Sequence, residues 1–297
     1  MSREVPARFW FVGRLCHILC GSAALVMSAE IVGWNGEEGG MPIRLRFVLE
    51  GAGAVSPFQH ATGLRAVIFD WIRRADPDLA KEIHDANQSK PFSISPLWSE
   101  RGFSLFEVAV LSDDLIAPLL EGIERAGATV RLGRQTYRLR DQEAVGAVTW
   151  EELLHAAPTA REFGFRLISP TAHHAPGELR KSVVLPSPEL YFGSWLGRWN
   201  VCCPVKFDME AIRTLVEQQV AVKMCEGGTR AVTLDQGRPF IGFQGEVRFT
   251  LLKPETVAPE ARTALAALAR FAAYCGTGVD TMRGMGQTEI LFEQDDR

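Results

Sequence analysis

The sequence predicts an α+β protein built from two successive βαββαβ units and closed by a glycine-rich loop, and three observations predict it. Short runs in both halves alternate apolar and polar residues, the pattern of half-buried strands. Between them lie segments with apolar residues three and four apart, the pattern of helices packed on one face. The order strand, helix, strand, strand, helix, strand falls within residues 41–155 and recurs, with one additional helix, within 160–297.

At 297 residues the chain has length for two domains of ordinary size. An apolar content of 46% with 23% charged residues describes a soluble globular protein, neither disordered nor embedded in a membrane. The formal charge of -4 speaks against a non-specific polyanion binder but leaves room for one local basic groove. The cysteines, Cys16, Cys20, Cys202, Cys203, Cys225 and Cys275, form no C-x2-C pair and have no histidine at finger spacing. That argues against structural zinc and for buried, reduced thiols in a cytoplasmic protein. No metal, small-molecule cofactor or membrane is expected.

The first forty residues admit three readings. Arg8, Arg14 and His17 punctuate an apolar run with small residues near Ala23 and Ala24, which fits a signal sequence. A spanning helix needs about twenty uncharged apolar residues, and Arg14 interrupts it. The run Gly36-Glu-Glu-Gly-Gly40 before Met41 is what a translated ribosome-binding site yields, so the expected native start is Met41, with 1–40 a non-native or unstructured extension.

The first unit opens with Ile43 to Leu49, a strand with one wet face. His60 to Arg74 aligns Leu64, Val67, Ile68, Trp71 and Ile72 on one helical face. Asp76 is placed to cap a second short helix with Pro77 at its first position. Lys90 to Ser95 and Gly102 to Leu111 read as paired strands, Asp113 to Ala126 as a helix, and Thr129 to Arg140 as one returning strand. This is the ferredoxin-like (RRM-like) plan, which alone assigns no function.

In the second unit, Phe163 to Thr171 reads as a strand. The run Val184 to Asn200 comes next, which the family resemblance given below makes a proline-started helix, and Asp208 to Gln218 reads as a helical run. Val220 to Met224, Arg230 to Leu234 and Phe240 to Leu252 read as strands, and Pro259 to Cys275 as an Ala-rich helix. That helix delivers the chain to Gly276-Thr-Gly-Val-Asp-Thr-Met-Arg-Gly-Met-Gly286 and a final strand from Thr288. Glycines at such a junction permit positive φ and free amide hydrogens to cradle an anion, and Arg283 points to the same ligand class.

Three of these elements resemble a known family. Asp76-Pro-Asp-Leu-Ala-Lys-Glu-Ile-His84 with Lys90-Pro-Phe-Ser-Ile-Ser-Pro-Leu97 after it, the Ser169-Pro-Thr171 strand end, and the helix–glycine-loop–strand ending are similar to the CRISPR-associated pre-crRNA-processing endoribonucleases of the RAMP superfamily. The resemblance covers about residues 41–293 and implies two tandem ferredoxin-like domains that bind CRISPR repeat RNA. It implies metal-independent cleavage, in which a ribose 2'-hydroxyl attacks the adjacent phosphate and leaves a 5'-hydroxyl and a 2',3'-cyclic phosphate.

Histidine suits the proton transfers, because its ordinary pKa of about 6.5 keeps both forms available near neutrality. The resemblance makes His84 the catalytic histidine and Lys90 an active-site lysine. Some members add a tyrosine from the first helix, where this chain has Phe69 and Trp71; His60 is the substitute considered. In the loop, Gly276, Gly278, Thr281, Arg283, Gly284 and Gly286 are the expected RNA-binding residues, with Asp280 pairing to Arg283 or capping local amides. Arg131 and Arg134, with Arg138 and Arg140, read either as an RNA backbone track or as a solvated face. The adjacent His173 and His174 are expected to face opposite sides and hold no metal. Two other readings remain: a non-catalytic RNA-binding subunit alongside other CRISPR-associated effector subunits, and an unrelated ferredoxin-like metabolic enzyme.

Overall fold

The computed structural model describes residues 42–51, 56–86, 89–155, 160–175, 181–234, 237 and 239–295. The expected start at Met41, the signal-sequence reading, Cys16 and Cys20 lie outside the described residues.

In the first lobe β1 (Ile43–Glu50) leads to α1 (Ala61–Ala75) and α2 (Pro77–Asp85). Next come β2 (Phe92–Ile94), β3 (Trp98–Glu100), β4 (Phe103–Val110), α3 (Asp113–Ala126), β5 (Thr129–Leu132), β6 (Gln135–Ala147) and the short α4 (Trp150–Leu154). The sheet runs β2-β4-β1-β6-β5, with β3 also on β4 and every pairing antiparallel, the ferredoxin-like order. The alternation in β1 buries Ile43, Leu45, Phe47 and Leu49 and turns Arg44 and Arg46 outward. Phe47 stacks on Phe106 at 4.9 Å, and Leu64, Ile68, Trp71 and Ile72 of α1 close over them beside Leu119 and Ile123 of α3. Each large apolar side chain buried this way contributes about 1.5–3 kcal/mol.

The expected single strand Thr129 to Arg140 is a hairpin instead. Gly133 takes φ +61 and reverses the chain, so Arg131 faces Thr136 across the turn. Only a residue without a β-carbon enters that left-handed conformation at no cost.

The second lobe contains β7 (Ala160–Thr171), β8 (His173–His174), β9 (Ser182–Val183), α5 (Pro188–Cys202), α6 (Met209–Gln219), β10 (Val220–Thr233), β11 (Pro239–Leu251), α7 (Pro259–Cys275) and β12 (Thr288–Asp295). Its main sheet, β10-β11-β7-β12, repeats the same antiparallel order. Val220 to Met224 and Arg230 to Leu234, expected as separate strands, are one: Gly227 stays in the ladder because it faces Gly245. The core stacks Phe163, Phe165 and Phe249 against Tyr191, Phe192, Trp195 and Trp199 of α5. The alanines of α7 let that helix pack into the same core. Cys203 and Cys275 are buried as expected, Cys202 is half-buried, and Cys225 corrects the expectation by being exposed on β10. No described helix is long and apolar enough to cross a membrane.

Side chains join the lobes. Ser93 Oγ donates to the Tyr274 carbonyl at 2.6 Å, and Gln287 Nε2 to the Ile94 carbonyl at 3.1 Å. The Arg44 guanidinium donates to the Ala273 carbonyl and lies 5.4 Å from the Tyr274 ring centroid. Ala61 of α1 shares a small apolar cluster with Ala172, Leu234, Phe240 and Met285. This seam holds the glycine loop.

Candidate functional site

His84 is placed by a rigid short helix. Asp76 Oδ1 accepts from the Leu79 amide at 2.9 Å, Pro77 occupies the first position, and Ala80 and Ile83 are buried. The next residue, His84, is therefore exposed in the last turn of α2. Its ring meets Phe69 of α1 edge to face at 5.7 Å. Arg65, one turn earlier on α1, sets its guanidinium 5.4 Å from the centroid of the same phenyl ring.

Lys90 is close to His84 but turns back on the helix end. Its Nζ donates to the His84 carbonyl at 3.0 Å and to the Ala86 carbonyl, satisfying acceptors that a helix C-terminus leaves open. Burial holds its ammonium below the ordinary lysine pKa, the nearby Arg65 lowers it further, and Asp85 opposes both. Arg65 is itself held down by burial and by Arg283, with Asp280 opposing. Arg65 thus stands within electrostatic reach of both the His84 turn and the glycine loop. The Nε atoms of Arg65 and Arg283 are buried and have no hydrogen-bond partner among the described residues. Arg283 is ion-paired to Asp280 while Arg65 has no carboxylate in hydrogen-bond contact among the described residues, so the two guanidiniums leave positive charge at this seam.

The glycine loop is folded inward more than its sequence suggests. Gly276, Gly278, Gly284 and Gly286 all have positive φ and are buried. A β-carbon at 278 would lie 2.2 Å from the Ala172 carbonyl oxygen, and one at 286 would lie 1.9 Å from that of Thr277. The open cradle of amides expected from the glycines is corrected accordingly: Gly276 donates to Ala272, Gly278 to Ser194 Oγ and Gly286 to Pro170. Their conformations serve the fold of the loop. Between Gly278 and Gly286, residues Asp280 to Gly284 press against the first lobe, where Met282 joins its core and Gly284 abuts Pro96. Arg283 donates to Asp280 Oδ1 at 2.8 Å, the pairing anticipated for that acid. Thr281 is buried and accepts from Arg198 of α5.

His60 does not join this group. It is buried at the start of α1, its Nε2 lies 3.1 Å from Gln135 Oε1, and its ring approaches Tyr137 edge-on. Tyr137 donates to that same Gln135 oxygen at 2.6 Å. The substitution of His60 for the family tyrosine is therefore corrected: it is a satisfied core histidine. Arg131 and Arg134 sit on the exposed β5–β6 turn, where Gly133 lies against Gly63 of α1. Arg140 pairs with Glu50 at 3.6 Å. His173 is buried and His174 exposed, so the two face opposite ways; no metal-holding cluster occurs among the described residues.

Sequence reasoning missed Arg65 and Arg198. Arg65 could have been found, because residues four apart on a helix share a face and Arg65–Phe69 has that spacing. Arg198 carries no comparable signal, since its partners are backbone carbonyls 78 and 80 residues away.

Two ferredoxin-like lobes with a glycine loop in their seam define a RAMP-type protein. The family model for CRISPR-associated endoribonuclease Cas6 matches residues 165–288. A product complex of Thermus thermophilus Cas6 (TTHB231) shares 30% identity with a TM-score of 0.76, covering 85% of this chain and 100% of that one. A product complex of Cas6 (TTHA0078) shares 27% with a TM-score of 0.71 over the same proportions. A substrate-mimic complex of the latter shares 25% with a TM-score of 0.65, covering 84% of this chain and 99% of that one. No curated protein matches the sequence. The chain belongs to the Cas6 family of CRISPR-associated endoribonucleases.

Proposed function

We propose that this chain binds CRISPR repeat RNA and cuts the precursor transcript once per repeat to release guide crRNAs. The observation that carries the reading is the grouping of His84, Phe69 and Arg65 on the first lobe opposite Arg283 of the glycine loop. RNA cleavage through the 2'-hydroxyl needs a proton-transferring group and positive charge at the phosphate. His84 supplies the first, exposed to substrate and oriented by Phe69. Arg65 and Arg283 supply the second: both are only partly buried, and their guanidinium charge lies where the phosphate gains charge in the transition state. The phenyl ring of Phe69 can neither give nor take a proton, so it orients and the arginines do the electrostatic work that a tyrosine hydroxyl could share. Lys90 anchors the turn that carries His84 and adds charge nearby. The exposed Arg131 and Arg134 extend the basic surface along the RNA backbone.

No step in this scheme uses a metal ion. The test is incubation of repeat RNA with the protein in EDTA, with the product ends then identified. The reading expects full cleavage with a 5'-hydroxyl and a 2',3'-cyclic phosphate. Loss of cleavage in EDTA, or a 5'-phosphate product, overturns it. Tight binding without cleavage would instead identify an RNA-holding subunit.

A further inference from the structure

Arg198 is a buried cation whose partners are all neutral. It lies on α5, only 9% exposed, between two aromatic residues of the second core, Trp195 and Trp199. Its Nη1 donates to the Gly276 carbonyl at 2.9 Å, and its Nη2 to the Gly278 carbonyl at 2.6 Å and to Thr281 Oγ1 at 3.3 Å. Among the described residues no carboxylate forms an ion pair with it. Burying a guanidinium with no carboxylate partner opposes folding, and a neutral apolar side chain would fill the same volume without that penalty. What the arginine provides is geometry: a rigid planar fork that engages acceptors on Gly276, Gly278 and Thr281 of one loop.

Those acceptors set the course of the chain toward Arg283. Gly276 begins the loop and Gly278 crosses over Ala172. Thr281 opens the turn that ends at Arg283, so the guanidinium fixes the base of the turn whose tip faces Arg65. The neighbouring bonds run the same way: Trp195 Nε1 donates to Thr277 Oγ1 at 2.9 Å, and Ser194 Oγ accepts from the Gly278 amide at 3.3 Å. One face of α5 is thus a template on which the loop is laid.

We propose that Arg198 is the positioning residue of the glycine loop, setting where Arg283 meets the phosphate that Arg65 also contacts. This rests on the endoribonuclease reading. The full chain is compared as wild type, Arg198→Lys and Arg198→Ala, using single-turnover cleavage of repeat RNA at saturating enzyme. An inactive fraction does not change that rate constant. Misplacing a transition-state group by about 1 Å costs about 10²-fold, so Arg198→Ala is expected to fall by one to two orders of magnitude. Millimolar guanidinium ion is expected to restore the rate by refilling the vacated site. Arg198→Lys keeps the charge but cannot span three acceptors, and is expected to stay at least about tenfold slow.

A lysine variant as fast as wild type, or an alanine variant slowed without guanidinium rescue, overturns the proposal. Thr281→Val keeps the volume and removes one acceptor, and is expected to slow cleavage several-fold if Arg198→Ala does not fold; an unchanged rate there also overturns it. If the wild type does not cleave repeat RNA, the functional reading fails separately. Hydrogen exchange at the Thr277, Val279 and Gly286 amides then tests the positioning role: at least about tenfold faster exchange in Arg198→Lys supports it, and unchanged protection rejects it.

Discussion

The His84 ring stands edge-on to the Phe69 ring, centroids 5.7 Å apart and planes at 82°. Arg65 lies over that same phenyl ring, so one side chain of α1 fixes the directions of both an imidazole and a guanidinium. Neither contact uses a proton.

Phe69→Leu is expected to keep the fold, because Phe69 is only half-buried, while loosening His84 and Arg65 together. Aromatic and cation–π contacts of this kind are each worth about 0.5–1.5 kcal/mol, so cleavage should slow by roughly tenfold with little change in RNA affinity. Single-turnover rates and a binding isotherm on the same preparation separate the two effects.

Arg65→Gln and Arg283→Gln each remove a donor proposed to act on the phosphate. Loss of one transition-state donor costs about 10²–10³ in rate. Each variant should also flatten the salt dependence of RNA binding by about one counterion. Because both act on one phosphate, the double variant is expected to lose less than the product of the single losses, measured as a double-mutant cycle.

His173 should make the protein acid-sensitive. Burial, then Arg198 and His174, push its imidazole down to about 3 from an ordinary 6.5. In the window between these values the unfolded chain binds a proton that the folded chain refuses, so stability is full above about pH 6.5 and falls as pH drops. Between pH 7 and pH 5 this one group removes about 2 kcal/mol. His173→Phe keeps a ring against Tyr191, 5.1 Å away, and is expected to flatten that part of the pH profile in chemical denaturation.

Gly286→Ala is expected to destabilise the protein by about 1–3 kcal/mol, since φ is +66 and the new β-carbon would meet the Thr277 oxygen at 1.9 Å. For a chain of this size that is a fall in Tm of about 2–4 °C per kcal/mol in a thermal scan.

The elements that carry periodic apolar faces were legible in the sequence: α3 begins at Asp113 and ends at Ala126, and Asp76 caps α2 with Pro77 behind it, as expected. Glycines misled in both directions. Gly133 reverses the chain inside an apparent strand, whereas Gly227 continues a strand that it seemed to interrupt. A glycine permits either outcome, and the facing strand decides which one occurs. In the candidate site, the Asp76-capped helix that carries His84 and the pairing of Arg283 with Asp280 were legible from motif and charge. The inward turn of Gly276, Gly278 and Gly286 was not, because their partners Ala272, Ser194 and Pro170 come from three different elements. Arg198 was hidden for a related reason: its two closest bonds go to backbone carbonyls, which leave no complementary residue to find.

His84→Ala compared with wild type, in single-turnover cleavage of repeat RNA in EDTA, tests the central claim most directly. A catalytic His84 predicts a rate lower by about 10²–10⁴ with RNA affinity retained, the loss expected for a general acid–base group. Cleavage by His84→Ala at the wild-type rate would contradict it.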